Sequence, residues 1–379
     1  CYGELGAMFP QAGGDYVFLR EGFGKRIAFL SGWVSLLVGF SAPIAAVAVA
    51  FSLYFRDAVP GFLSGLSVEM LSVFLIALMT LVHGLGLGFG ARVQNILTSF
   101  KLMIILSLVV GGLTGGRGSF DHFGGSVPWD AMFTAPFAVS LIFISFAYSG
   151  WNASAYLGGE VRDPGRNLPR SIIGGTLCVM TIYVLLNIVF VYAIGPSDMA
   201  GIEEVGSLAA RRLFGEGVGT AYGLAISLCL LSTLGAMVMA GPRVYYAMAK
   251  DGVFFRTFAE VHPSRRVPLH SILLQSAIAM VLVLTATFQS LLLYIGFVLS
   301  IFSTLTVLAM MFLRRSRPGL TRPYRAWGYP VTPLIFVAGN MWIVFFSLRS
   351  NAPAFLWGVV TIFVGLMVYQ FFGRKVTGR

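Results

Sequence analysis

The sequence predicts an all-α integral membrane protein, and three observations carry that reading. Of its 379 residues, 57% are hydrophobic and 11% charged, whereas soluble domains hold roughly 45–50% apolar and about 25% charged residues. One aqueous core cannot hide that much apolar surface, so most of it must face lipid. The apolar residues also gather into runs long enough to cross about 30 Å of hydrocarbon, which takes roughly 20 residues of helix each. Basic residues, finally, collect at alternate ends of those runs, as the positive-inside rule requires. The net charge of +11 is therefore read as setting orientation, not as a nucleic-acid surface.

About ten such runs are present. They are Ile27 to Phe55, Glu69 to Gly88, Asn95 to Leu113, Phe133 to Gly159 and Ser171 to Ile194, followed by Val218 to Ala247, Leu269 to Phe288, Leu291 to Leu313, Val331 to Leu348 and Ala354 to Phe372. Helices are required because lipid offers the backbone no hydrogen bonds. Gly, Ala and Ser at close spacing, as in Ser41-Ala42-Pro43 through Ala50, let neighbouring backbones approach. With the segment before Ile27 in the cytoplasm, the outer loops keep only Arg56, Arg117, Arg211, Arg212 and Arg349, and Lys101 lies inside a span. Every other Lys and Arg falls inside, so both ends of the chain are expected in the cytoplasm, with the protein in the cell (inner) membrane. Ser197 to Glu216 reads as an amphipathic stretch across the outer mouth, and Asp15 to Gly24 as its inner counterpart. Cys178 and Cys229 fall inside apolar runs, where packing is their expected role, and Cys1 is terminal. The chain opens on Cys1 and reaches Glu4 within four residues, like the end of a helix whose beginning lies upstream.

The stretch richest in chemistry is Phe143-Ile-Ser-Phe-Ala-Tyr-Ser-Gly-Trp-Asn-Ala-Ser154. Small and polar residues interrupt an apolar run, and Gly150 is free to leave helical geometry. A broken helix bares N–H and C=O groups that can bind a carboxylate or an ammonium at membrane depth. The alternative is an unbroken Gly/Ser packing face. Beyond it, Pro164 and Pro169 in Glu160-Val-Arg-Asp-Pro-Gly-Arg-Asn-Leu-Pro-Arg170 shape a charged inner turn. Lys101, in Ser99-Phe-Lys-Leu-Met-Ile-Ile105, sits about two turns inside its run. It is either a snorkelling anchor or a group that exchanges a proton. His83 reads as a packing histidine. Gly86-x-Gly88-x-x-Ala91 mimics a dinucleotide fingerprint but follows a membrane helix, not a strand. No ATP-binding phosphate loop is present, and the four histidines lack metal-site spacing. No catalytic residue, metal or cofactor is expected.

Three runs carry a resemblance. Tyr2-Gly-Glu-Leu-Gly-Ala-Met-Phe-Pro-Gln-Ala-Gly-Gly-Asp-Tyr16 resembles the first inner loop of amino acid–polyamine–organocation (APC) permeases. Phe146-Ala-Tyr-Ser-Gly-Trp-Asn152 with Glu160 to Pro169 is similar to their sixth helix and its exit, and Gly241-Pro-Arg-Val-Tyr-Tyr-Ala-Met-Ala-Lys-Asp-Gly252 to the end of their eighth. The L-type amino-acid transporter branch and its bacterial relatives are the nearest in character. The resemblance implies a transporter fold of inverted five-helix repeats with broken first and sixth helices, plus two accessory helices. The single domain 1–379 would then hold helices three to twelve. Residues 1–9 would be the tail of helix two, 27–113 the rest of the first repeat, 133–313 the second repeat and 331–372 the accessory pair. The first helix and most of the second would be missing from this stretch, which is then expected not to transport by itself.

By the same resemblance Phe146 covers the substrate, Ala147, Ser149 and Gly150 offer backbone to its ammonium, and Asn152 lines the lower site. Val38, Gly39 and Pro43 face the side-chain pocket, where Gly39 leaves room. A lysine at the Lys101 position stands in for a sodium ion and carries the coupled proton. Eukaryotic relatives bind a heavy chain through a cysteine after helix three. Arg56 to Val68 contains none, so no disulfide-linked heavy chain is expected. The implied function is secondary active transport of amino acids by alternating access, proton-coupled or by exchange. The rival readings are a non-transporting fragment of such a permease and a membrane-embedded enzyme. The latter would want paired carboxylates or histidines at one membrane face, whereas the acidic residues here are sparse and lie in loops.

Overall fold

Each apolar run of the sequence falls on helical structure, and among the described residues no strand forms. The structure is a computed structural model that describes every residue except 60, 62–64, 125–128, 203, 286–287, 351 and 378–379. Within its helices the side chains of 135, 138–139, 142, 146, 288–294, 297, 347–350, 352–355 and 373–377 are likewise outside the description.

In chain order the helices are α1 (Tyr2–Met8), α2 (Asp15–Phe23), α3 (Lys25–Val34), a π-helical segment (Ser35–Ser41), α4 (Ala42–Ala58), α5 (Val68–Gly84) and α6 (Leu87–Gly115). The next are α7 (Ala135–Ala147), α8 (Ala153–Tyr156), α9 (Pro164–Ala193), α10 (Pro196–Met199), α11 (Val205–Phe214), α12 (Glu216–Ala240) and α13 (Pro242–Lys250). Last come α14 (Leu269–Thr285), α15 (Phe288–Ser316), α16 (Val331–Ser350) and α17 (Ala352–Thr377). Among the described residues, Lys25–Ala58, Leu87–Gly115, Pro164–Ala193, Glu216–Lys250 and Val298–Ser316 are long and apolar enough to cross a membrane. Val68–Gly84, Leu269–Thr285, Val331–Phe346 and Leu356–Phe372 are shorter apolar helices. Large apolar side chains such as Phe74 and Leu81 on α5, Ile96 and Met103 on α6 and Leu284 on α14 point outward, as a lipid solvent allows. Cys178, expected to pack, is exposed on α9.

Helix α12 packs against α4, α6 and α11, and α4 also touches α5, α14 and α15. Helices α16 and α17 lie against α15, with α17 reaching α3. Helix α11 is amphipathic as expected. It turns Ala209, Ala210 and Leu213 onto α6 and α9, while Arg211 bonds Asp57 at the end of α4 at 2.7 Å.

Helix α2 departs from the sequence reading. It is no interfacial helix: Tyr16, Val17, Phe18 and Leu19 are at most 1% exposed. Two glycines make that burial possible. A Cβ at Gly22 would lie 2.6 Å from that of Ala309 on α15. One at Gly14, whose φ is +53°, would meet the Tyr156 ring at 2.5 Å.

Candidate functional site

The helix break lies where the small and polar residues sit. Helix α7 ends at Ala147, the chain turns through Tyr148 to Asn152, and α8 resumes for a single turn. Gly150 has φ +85°, a left-handed conformation that costs glycine little and other residues more. The carbonyl of Ala147 loses its helical partner and instead accepts from the Tyr183 hydroxyl of α9 at 2.8 Å. The Tyr148 and Tyr183 rings meet edge to face at 4.8 Å. Ala147 and Gly150 are exposed and Ser149 is half-buried, so backbone at the break is open to a ligand. The side chain of Phe146 lies outside the described residues. Asn152 turns away from the break: its amide donates to Asp15 Oδ2 at 3.1 Å.

The residues expected on the third helix occupy the π-helical segment and its exit. Pro43 has no N–H to donate to the carbonyl of Gly39, and its ring crowds that carbonyl. The helix widens by one residue at Ser35–Ser41 in response, a distortion frequent at functional sites. Val38 and Pro43 are buried, and Gly39 is half-buried beside Leu299 of α15. Phe40, from the same segment, stacks edge-on against Tyr156 of α8 at 5.2 Å. Through that contact the widened turn and the far side of the break come together.

Lys101 lies further along its helix than expected. Helix α6 starts at Leu87, so about 21 Å of helix precede Lys101 at 1.5 Å per residue. Its ammonium donates to Thr233 Oγ1 of α12 at 2.7 Å. His83 packs between glycines as expected, since a Cβ at Gly90 or Gly235 would lie 2.7 or 2.9 Å from its ring.

What the sequence reading missed is a set of bonds that join its three motifs. Asp15 Oδ2 accepts from Tyr156 at 2.5 Å as well as from Asn152, and its Oδ1 accepts from Thr306 of α15 at 2.9 Å. Burial pushes this carboxyl at the start of α2 above the usual aspartate range, although the Tyr156, Tyr2 and Thr306 hydroxyls act in the opposite sense. Tyr16 and Arg20 both donate to Asp251, at 2.7 and 2.8 Å. Glu160 pairs with Arg243 at 3.1 Å, and Glu4, fully buried, pairs with Arg314 and accepts from the Ala326 N–H. A usable signal existed for Asp15: it is a scarce carboxylate directly after Gly13-Gly14. A groove of about 790 Å³ lined by Arg166, Arg170, Tyr324 and Trp327 opens at the start of α9 and contains none of the expected site residues.

Comparison with known proteins identifies the family. A family model described as amino acid permease matches residues 1–369. The chain is 30% identical over 375 residues to the serine/threonine exchanger SteT of Bacillus subtilis (strain 168), covering 98% of this chain and 84% of that one. It is 29% identical to b(0,+)-type amino acid transporter 1 of Mus musculus, covering 98% and 77%. With large neutral amino acids transporter small subunit 2 of Homo sapiens it shares 28% identity, covering 97% and 70%. A match over nearly the whole chain, on an all-helical structure with apolar spans, identifies a multi-pass membrane protein that belongs to the amino acid permease family of the APC superfamily.

Proposed function

We propose that this protein is a secondary carrier that moves neutral amino acids across the cytoplasmic membrane by alternating access, driven by protons or by exchange. The observation that carries the reading is the break between Ala147 and Ala153, with Gly150 left-handed and the backbone around it exposed. Irregular backbone at membrane depth is tolerated only inside protein or beside a cavity, and helix ends beside such a cavity can bind a zwitterion. Val38, Gly39, Pro43, Ala147, Ser149 and Gly150 carry no charge, which favours an uncharged substrate side chain. The exchanger and large neutral amino acid carriers among the relatives support the same class. Lys101, hydrogen-bonded to Thr233 between α6 and α12, is the group we assign to proton coupling. Both ends of this stretch are assigned to the cytoplasm. With no cysteine between Arg56 and Val68, no disulfide to a heavy chain forms there. Residues 1–9 are taken as the tail of helix two, 27–113 as the rest of the first inverted repeat, 133–313 as the second and 331–372 as the accessory pair.

The test is uptake of a labelled amino-acid panel by the full-length protein in proteoliposomes, with and without a pH gradient. Saturable uptake of a neutral amino acid is expected. Phe146→Ala is expected to lower uptake by about tenfold at normal membrane insertion, a loss of the size given by removing one well-placed aromatic contact. No saturable uptake of any member of the panel would overturn the reading, and unchanged kinetics in Phe146→Ala would remove that residue from the site.

A further inference from the structure

Asp15 belongs to neither the break nor the α6–α12 contact, yet it is where the far side of the break is fastened. Its two oxygens face different parts of the molecule. Oδ2 receives the Asn152 amide at 3.1 Å and the Tyr156 hydroxyl at 2.5 Å, both from the turn that follows the break. Oδ1 receives the Thr306 hydroxyl at 2.9 Å from α15. Among the described residues no cation lies within ion-pair distance of Asp15, although Arg20 of the same helix is engaged by Asp251. Its titratable neighbours are the phenols of Tyr2 and Tyr156.

The helix that carries Asp15 is held independently of these bonds. Tyr16 and Arg20 bond Asp251 beyond α13, and Gly22 presses on Ala309 of α15. Helix α8, by contrast, is one turn long and follows five residues without regular helix. A short segment after a left-handed glycine, fastened to a braced helix by the Asp15 carboxylate and to the turn before it by one backbone bond, Gly13 N–H to the Tyr156 carbonyl at 3.2 Å, is built to detach as a unit. Neutral donors suit that purpose, because water can replace each of them when the segment moves. An arginine in their place would hold more tightly through charge-assisted bonds.

We propose that Asp15 is a positioning residue of the transport cycle, the latch that holds Asn152 to Tyr156 against α2 and α15. Opening of the cytoplasmic side breaks the Asn152 and Tyr156 bonds and leaves the Thr306 bond in place. The inference rests on the alternating-access reading.

The test uses full-length protein with its native cysteines replaced by serine and one reporter cysteine, Ser154→Cys, in inside-out vesicles. The readout is the labelling rate with a membrane-impermeant maleimide, with and without the transported amino acid. Asp15→Asn and Tyr156→Phe are each expected to speed labelling by about tenfold, the size of one lost hydrogen bond to a charged group. The pair together is expected to add little, because one weakens and the other removes the same bond. Thr306→Val is expected to stay within about twofold, since it touches only the anchored side. If Asp15→Asn does not fold, Tyr156→Phe and Asn152→Ala decide the matter while keeping the carboxylate. A native rate that responds to substrate, with all these variants unchanged from native, overturns the latch alone. A Thr306→Val rate equal to that of Tyr156→Phe also overturns it, leaving Asp15 a packing group. A native rate that substrate never alters overturns alternating access, and the latch with it.

Discussion

The contact between Glu160 and Arg243 makes a quantitative test of how the exit from the broken helix is held. The two side chains meet at 3.1 Å, but the arginine is 4% exposed and the glutamate 35%. That difference makes the two single substitutions unequal. Glu160→Gln leaves a guanidinium buried without its counter-charge, a change that costs about 3–5 kcal/mol in buried pairs. Arg243 Nη1 keeps its bond to the Met239 carbonyl, which favours the lower end, about 3 kcal/mol. Arg243→Met keeps an aliphatic stem in the cavity and frees a carboxylate that water already reaches. Its cost falls between the buried and exposed cases, at about 1–2 kcal/mol. Thermal unfolding of the full-length protein in detergent should therefore show Glu160→Gln lowering the midpoint by roughly 3–4 °C and Arg243→Met by about one to two thirds as much. The double variant should reveal a coupling of about 1–3 kcal/mol. Equal losses from the two single variants, or additivity within about 0.5 kcal/mol, would refute the assignment of Arg243 as the buried, dependent partner.

Three further outcomes are expected. Lys101→Met should abolish accumulation driven by an imposed pH gradient in proteoliposomes while leaving counterflow within about threefold, since it removes the ammonium bound to Thr233 but no group at the break; full gradient-driven accumulation would make Lys101 structural. Asp15 has a carboxyl raised by burial, so its contribution to stability is complete below the ordinary aspartate range and is lost as pH rises through the higher folded-state value. The unfolding midpoint of the native protein minus that of Asp15→Asn should fall as pH climbs through that window, and a difference that rises instead would contradict the sign. Pro43→Ala restores the N–H that the π-helical segment lacks and should tighten the helix around Gly39. A loss of substrate affinity with little loss of thermal stability is expected, and equilibrium binding in detergent measures it.

Much of the fold was legible because lipid simplifies the problem. A helix must supply its own backbone hydrogen bonds there, so each apolar run had to be mainly helical, and among the described residues each is, the break at Tyr148 to Asn152 being the exception. Boundaries were less legible. Hydropathy located the apolar part of α6 from Asn95, but the helix begins at Leu87 and runs through Arg92 and Gln94, because backbone bonding does not stop where polarity starts. That shift alone moved Lys101 from two turns inside its run to the middle of the helix. The break at Tyr148 to Asn152 was visible as a candidate, since Gly150 permits it. What tips the chain into breaking lies elsewhere: Tyr183, 36 residues further on, caps the carbonyl of Ala147. Helix α2 was misjudged for a related reason. Its mixture of charged and apolar residues suits an interface, and only the contacts of Gly14 with Tyr156 and Gly22 with Ala309 show it enclosed.

The charges were the hardest feature to read, because one rule accounted for them too easily. Counting Arg and Lys by side of the membrane reads them as orientation signals, and it treats them all alike. The structure divides them. Arg20, Arg243, Arg314, Arg317 and Arg322 are in ion pairs with Asp251, Glu160, Glu4 and Glu21. The acidic partners come from every motif that the family resemblance singled out, and most pairs join segments far apart in sequence. Glu4 is fully buried, and a carboxylate so placed is costly unless it is paired, so Arg314 cannot be exchanged for a basic residue elsewhere in the loop without loss. Orientation needs only the sum of the inner charges, whereas these bonds need particular residues at particular sites. The motifs of the sequence are therefore best read together, as a single hydrogen-bonded assembly in which Asp15, Asp251 and Glu160 each join two of them.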